Sequence, residues 1–267
     1  MSRRHCLPGH PKAVVAASLA WAAGFVDVTV WLILYHVYAS HMTGNTASFA
    51  DEIVQGKWSD AFHHGWAILP FLVGLLYSAT TTKAARRRGF HSSFPVALIT
   101  EVLLLGAFIV FGSRYVERNR LKPPAGAIGY LLLSIPTAAM GVQTVTVTRI
   151  NGLRVYTTYL TGSLSKFSEA VVDYLFWLRD RTRGRLGARL GKALRVSPRR
   201  KSVQHAALTA SLWVGFFVGA LCGALSERRF LLFNLCAPIA VLTAAVIVDL
   251  IWPVAAADEP ETEQSAH

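Results

Sequence analysis

Residues 13–54 read AVVAASLAWAAGFVDVTVWLILYHVYASHMTGNTASFADEIV. From 13 to 37 the run is apolar and carries one formal charge, Asp27. At 1.5 Å per residue it extends about 37 Å, enough to cross a hydrocarbon core about 30 Å thick. In lipid a lone segment satisfies its amides only as a helix. The stretch that follows, 42–54, is too short to span and suits a re-entrant or interfacial half-helix. Thr43 and Asn45 are good N-cap residues, and Gly44 permits a tight entry turn. A helix start presents unpaired N–H groups and a partial positive charge. Inside a membrane that end suits an anion or a polar headgroup. A membrane-spanning helix running into a half-helix is the pattern from which the rest is read.

The composition agrees with a membrane location. Of the 267 residues 53% are hydrophobic and 16% charged, against about 25% charged in soluble domains. That excludes an ordinary soluble enzyme, a disordered chain and a collagen-like chain. Cys6, Cys222 and Cys236 form no CxxC pair, which argues against a disulfide scaffold and a zinc finger. Six spans are expected, at 13–37, 66–82, 94–112, 126–146, 206–225 and 230–252. The fold class is all-α, a polytopic membrane protein. Ser2-Arg3-Arg4 resembles a twin-arginine start, but the first apolar run is too long for an export-signal core and is expected to stay as a span. Trp31, Trp58, Trp66, Trp177 and Trp252 lie near span ends, as an aromatic belt requires.

The net charge of +12 is a topology signal. Three basic residues precede the first span, four follow the second and thirteen lie from Arg149 to Lys201. Most of the 27 Lys and Arg therefore face the cytoplasm if both termini do. Arg114, Arg118, Arg120 and Lys122 run against this rule. The segment 179–201 holds ten basic residues and one acid, Asp180. Leu186, Leu190 and Leu194 form one stripe, so the segment suits anionic lipid headgroups, though Gly184, Gly187 and Gly191 weaken its helix. No nucleic acid is expected as a partner. The acidic tail, 253–267, reads as disordered.

The chain also repeats itself. TGNTASFADEIV at 43–54 and TGSLSKFSEAVV at 161–172 share Thr, Gly, Phe and the last Val, and Asp51 meets Glu169. Asp27 precedes the first block and Gln143 the second by similar distances. After a tail at 1–12, the halves read as 13–112 and 126–252, joined by an external loop at 113–125, with a basic cytoplasmic loop at 179–204. Three spans each make the halves face opposite ways, the inverted-repeat plan of many secondary transporters. Both blocks are read as short half-helices, after the first and fourth spans, and are expected to converge on the middle. Six spans suit a compact unit or one half of a homodimer.

Polar residues inside spans are costly and need a reason. Asp27, at mid-helix, and Glu101, in the third span, are candidates for proton coupling, with Asp27 also a solute contact. Solute contacts are further expected from His41, Thr43, Gly44, Asn45, Thr46, Gln143, Thr158, Thr161, Gly162 and Ser163. Asp249 lies near a span end and is expected to reach the interface. Lys166, Glu169 and Asp173 at helical spacing read as a solvated face. Gly74 and Ser78 in one half, with Gly215, Gly219 and Gly223 in the other, are spaced to let helices pack closely. His36, His41, His63 and His64 lack a ligand spacing, so neither a metal nor another cofactor is expected. GxSxG, HExxH, P-loop and dinucleotide fingerprints are all absent, and the chain does not read as an enzyme.

Gly24-Phe-Val-Asp27, followed by His41-Met-Thr-Gly-Asn-Thr46, resembles the signature of the YoaK family, bacterial membrane proteins of unknown function. Ala139-Met-Gly-Val-Gln143, Arg154-Val-Tyr-Thr-Thr158 and Thr161-Gly162 extend the likeness over residues 15–250. It implies a bacterial inner-membrane protein of about six spans and brings no substrate. The segment 179–201 looks extended for the family, and Val28-Thr29-Val30-Trp31 departs from its usual small and aromatic residues. The function expected is a permease for a small, preferably anionic solute. The alternatives are a non-transport module that binds lipid or a protein partner and, behind it, an intramembrane lipid-modifying enzyme.

Overall fold

The structure is a computed structural model and describes residues 9–88, 94–116, 124, 126–145, 148–150, 153–155, 158–182, 197 and 200–252. Helix α1 (Gly9–Ile33) leads through a short linker to α2 (Met42–Val54) and α3 (Trp58–Arg87). Then come α4 (Phe94–Val116), α5 (Ala127–Val145), strands β1 (Thr148–Ile150) and β2 (Leu153–Val155), and α6 (Leu160–Thr182). Helix α7 (Lys201–Phe230) passes through a 3-10 turn (Leu231–Leu235) into α8 (Cys236–Ile251). Five stretches are long and apolar enough to cross a membrane: Lys12–Ile33, Trp58–Ala85, Phe94–Tyr115, Ala127–Thr144 and Lys201–Ile251.

The last of these is 51 residues, which as one straight helix would extend about 77 Å. It is broken at Leu231, whose φ is 49°. Asn234 then folds back on α7, its Nδ2 donating to the Gly223 carbonyl at 3.4 Å and to Ser226 Oγ at 3.4 Å. The same amide reaches Thr29 Oγ1 of α1 at 3.0 Å and so ties three elements together.

Several expectations need correction. The fold is all-helical as expected but for one short addition: β1 and β2 pair antiparallel with Thr148 opposite Val155 and Ile150 opposite Leu153. The dipeptide between them, Asn151-Gly152, is the one two-residue hairpins favour. Helix α1 stops earlier than its apolar run, because Tyr35 and His36 take left-handed backbone, φ 52° and 57°. Helix α3 begins eight residues earlier than its apolar core, with polar turns from Trp58 onward. Helix α6 is no half-helix: it is 23 residues long in all, Leu160–Thr182. The stripe Leu186, Leu190 and Leu194, and the acidic tail, lie outside the described residues.

Packing is organised by two close crossings. Helix α1 lies along α7, and α5 lies along α3. A methyl group on Gly24 would overlap the Phe216 carbonyl, and one on Gly219 the Trp21 carbonyl. A methyl on Gly141 would overlap the Phe71 carbonyl, and one on Gly74 the Ala138 carbonyl. The register is therefore the same: Trp21 and Gly24 against Phe216 and Gly219, Ala138 and Gly141 against Phe71 and Gly74. Gly215 and Gly223 extend the first crossing, facing the Ala17 and Phe25 carbonyls. The remaining contacts match in the same way. Helix α2 packs on α3 as α6 packs on α7, and α4 packs on α5 as α8 packs on α1. Van der Waals fit and interhelical hydrogen bonds, not hydrophobic exclusion, hold helices together in lipid, so bare backbone contacts of this kind decide the arrangement.

Candidate functional site

The α1–α2 linker closes over Asp27. This residue projects from α1, is 1% exposed and has both carboxylate oxygens occupied. Ser40 N donates to Oδ1 at 2.7 Å, and His41 Nδ1 lies 2.6 Å from Oδ2. Ser40 Oγ lies 3.3 Å from the same imidazole nitrogen. The hydrogen bond to Asp27 raises His41 above its ordinary value of 6.5, with partial burial working against it. The His41 ring sits edge-on to Tyr38 at 5.5 Å and to Phe216 of α7 at 5.4 Å.

Asn45 fixes the other side of the linker. It is fully buried, accepts from Tyr38 N at 3.0 Å and donates to the Tyr38 carbonyl at 2.7 Å. It therefore satisfies a whole peptide unit, as a strand partner would. Asn45 is not a cap, and neither is Thr43. Helix α2 begins at Met42 after His41, so Thr43 and Gly44 lie in its first turn. The Thr43 side chain is exposed, and Thr46 Oγ1 bonds back to the Met42 carbonyl.

The second block has the same skeleton and different chemistry. Helix α6 also starts one residue before its Thr-Gly pair, and Ser163 N bonds the Tyr159 carbonyl as Asn45 N bonds that of His41. Thr144 stands three residues after Gly141, as Asp27 stands three after Gly24, and its Oγ1 meets Thr158 Oγ1 at 2.8 Å. Ser163 is buried and Thr161 exposed, and the Tyr159 ring fills the space beside Gly162. Gln143 Nε2 donates to the Leu19 carbonyl at 3.0 Å, while its buried Oε1 has no partner.

The polar clusters beside the two blocks lie at different levels. Leu19 and Asp27 are eight residues apart on α1, a rise of about 12 Å, so the Gln143 contact and the Asp27 cluster lie at different levels. Helices α2 and α6 do not pack on one another to any comparable extent among the described residues. The expected single convergent pocket is replaced by two separate polar clusters joined through α1, α5 and α7.

The remaining candidates are dispersed. Glu101 is fully buried on α4 with neither oxygen partnered, and the Ser78 hydroxyl is buried and unpartnered. Asp249 is buried. The histidines do not converge either. His64 pairs with Glu52 at 2.9 Å, while His36 packs on Trp31. His63 stacks between Tyr35 at 3.7 Å and Tyr130 at 5.0 Å, with Trp66 edge-on to Tyr130. Tyr35 also donates its hydroxyl to the Pro124 carbonyl, and the space for that contact exists because residue 129 is glycine. This ring stack, and the Thr29–Asn234 bond, were not anticipated. A polar residue inside each apolar run was the available signal for Thr29 and Asn234.

A family profile described as "Protein of unknown function (DUF1275)" matches residues 15–248. The chain is 27% identical over 163 residues to the UPF0700 transmembrane protein YoaK of Bacillus subtilis (strain 168), a match covering 61% of this chain and 68% of that protein. No solved structure matches the chain. With five stretches fit to cross a bilayer and a transmembrane relative, this is an integral membrane protein.

Proposed function

The chain belongs to the DUF1275 family of proteins of unknown function, and on that premise we propose that it is a proton-linked permease of the bacterial inner membrane. It has six spans in two inverted halves, α1 to α4 and α5 to α8. The observation that carries this is the pair of crossings with one register, Gly24 on Gly219 and Gly141 on Gly74. Counting α7 and α8 as separate spans follows from the break at Leu231 and gives each half an odd number. Odd halves in one chain are inverted, and alternating access by rocking one half against the other is what that plan does. The charge bias places both termini in the cytoplasm.

In this reading Asp27 is the coupling residue. A mid-span carboxylate is expensive and marks ion or proton pathways. Protonating Asp27 removes the acceptor that holds Ser40 N and His41, which frees the linker that covers it. The solute is small. The amides of Thr43 and Gly44 in the first turn of α2 favour an anionic group, because a helix start carries a partial positive charge. In this reading the protein works as a carrier.

Proteoliposomes containing a pH-sensitive dye test this. Small carboxylates, inorganic phosphate and amino acids are added singly, and internal pH is followed. At least one solute class should acidify or alkalinise the lumen with wild type and fail to do so with Asp27→Asn. No solute-dependent proton movement with wild type removes the permease reading; normal movement in Asp27→Asn removes Asp27 from it.

A second reading has one observation in its favour. At the far end of α6, Arg200 lies over the Trp177 ring at 4.2 Å and Arg181 at 5.9 Å, with Tyr174 stacked alongside. Aromatic rings with arginines at a span end suit anionic headgroups, and so a lipid-binding module.

A further inference from the structure

Of the carboxylates buried in the helical core, Asp27 and Glu101 have opposite surroundings. Asp27 has a main-chain N–H on one oxygen and an imidazole on the other. Glu101 has no hydrogen-bond partner on either oxygen and no exposure at all. Its place on α4 is one where an apolar residue belongs. Phe94, Ala97, Leu98, Leu105 and Phe108 share its buried face at helical spacing. That helix packs on α5, on α8, on the 3-10 turn and more lightly on α3. No ion pair or hydrogen bond joins Glu101 to Tyr130 of α5, to Cys236 or Asp249 of α8, or to Asp60, His63, His64, Tyr77, Lys83 or Arg87 of α3. The 3-10 turn carries no charged residue.

A charged carboxylate without donors is not stable in such a place, and a buried group of this kind neutralises instead. A neutral carboxyl turns one oxygen into a donor, and donors suit a helical interior whose spare hydrogen-bonding capacity is in carbonyl lone pairs. Among the described residues no three His, Cys, Asp or Glu side chains gather to hold a metal ion. The occupant that fits is a proton.

We propose that Glu101 is a second proton-binding site, loaded in the conformation described here and opened to water for exchange in the alternative conformation of the carrier. On loading, a hydronium ion gives its proton to a Glu101 oxygen and leaves as water; on release the O–H bond breaks and water takes the proton back. This deepens the permease reading and rests on it for the alternative conformation. It assigns the two carboxylates different parts. Asp27 is clasped and holds the linker; Glu101 is unclasped and carries a proton through the dry part of the molecule.

Infrared spectroscopy on the full chain in lipid nanodiscs tests the site without reference to any solute. Wild type at neutral pH should show the C=O stretch of a protonated carboxylic acid. That band should move when water is replaced by D2O, should be absent from Glu101→Gln and should persist in Asp27→Asn. Where Glu101→Gln fails to fold, carboxyl-13C glutamate incorporated into wild type should shift the same band. Absence of the band, its survival in Glu101→Gln, or a band still unshifted after overnight exposure to D2O overturns the proposal, the last because a buried structural carboxyl would not exchange. A shifting band in a protein that moves no solute leaves the site standing and removes the permease reading, so the two fail separately.

Discussion

At the scale of single residues, the α1–α2 linker is held by Asp27 at one point and Asn45 at another. Neither contact is a helix cap. The N-cap residue of α2 is His41, with φ −92° and ψ 68°, and it makes no capping bond because its side chain is committed to Asp27. That is why Thr43 and Asn45 misled as caps: their propensity was sound, but a tertiary contact two residues earlier set the helix start. The Asp27–His41 pair gives a pH prediction. The folded His41 is raised above its unfolded value near 6.5, so the pair's contribution to stability is fully present below that value and disappears as pH rises through the folded one. Thermal unfolding of wild type and His41→Gln in detergent should therefore differ most at pH about 6, with the gap closing by pH about 9. A gap that widens with pH would show that His41 acts through packing on Tyr38 and Phe216 and not through Asp27.

At the scale of elements, glycines separate into those that carry a crossing and those that do not. Gly219 faces the Trp21 carbonyl with no room for a methyl, while a methyl on Gly106 would meet nothing within 4 Å. Gly219→Ala should destabilise by about 1–3 kcal/mol, as overpacking does. Gly106→Ala should be neutral or stabilise by up to about 1 kcal/mol, because alanine is the better helix former. Guanidine-free thermal melts of the two variants in one detergent decide it, and equal losses would mean that the crossings yield more easily than their geometry implies. The small-residue spacing at Gly215, Gly219 and Gly223 was readable from sequence, and so were several helices long and apolar enough to span. The register that pairs Gly24 with Gly219 was not, since it needs two elements almost two hundred residues apart. One signal was there to be found: Pro95-Val-Ala-Leu-Ile-Thr100 at the start of α4 and Pro238-Ile-Ala-Val-Leu-Thr243 in α8 share three residues at the same spacing. The stack of Tyr35, His63 and Tyr130 left no periodic trace, because each ring comes from a different helix end.

At the scale of the whole molecule, two halves of like skeleton differ in chemistry: a carboxylate and a histidine over α2, two threonine hydroxyls over α6. The six-span orientation proposed above predicts where reagents reach the chain. In a background with the native cysteines replaced, Lys83→Cys should react with a membrane-impermeant maleimide only in inverted vesicles, and Arg228→Cys only in intact spheroplasts. Both side chains are exposed, so labelling of both from the same side would overturn the inverted arrangement. Helix α1 is the most enclosed of the five apolar stretches, with 67% of its core window buried, and what encloses it is largely α7 and α8. Helix α1 is thus made well before the two helices that enclose it. At translation rates of about 5–20 residues per second, that delay is on the order of ten seconds or more. Throughout it the face of α1 that carries Trp21 and Gly24 lies in the bilayer without Phe216 and Gly219, so a chain cut short before α7 should be recognised as defective and degraded, not released half-built.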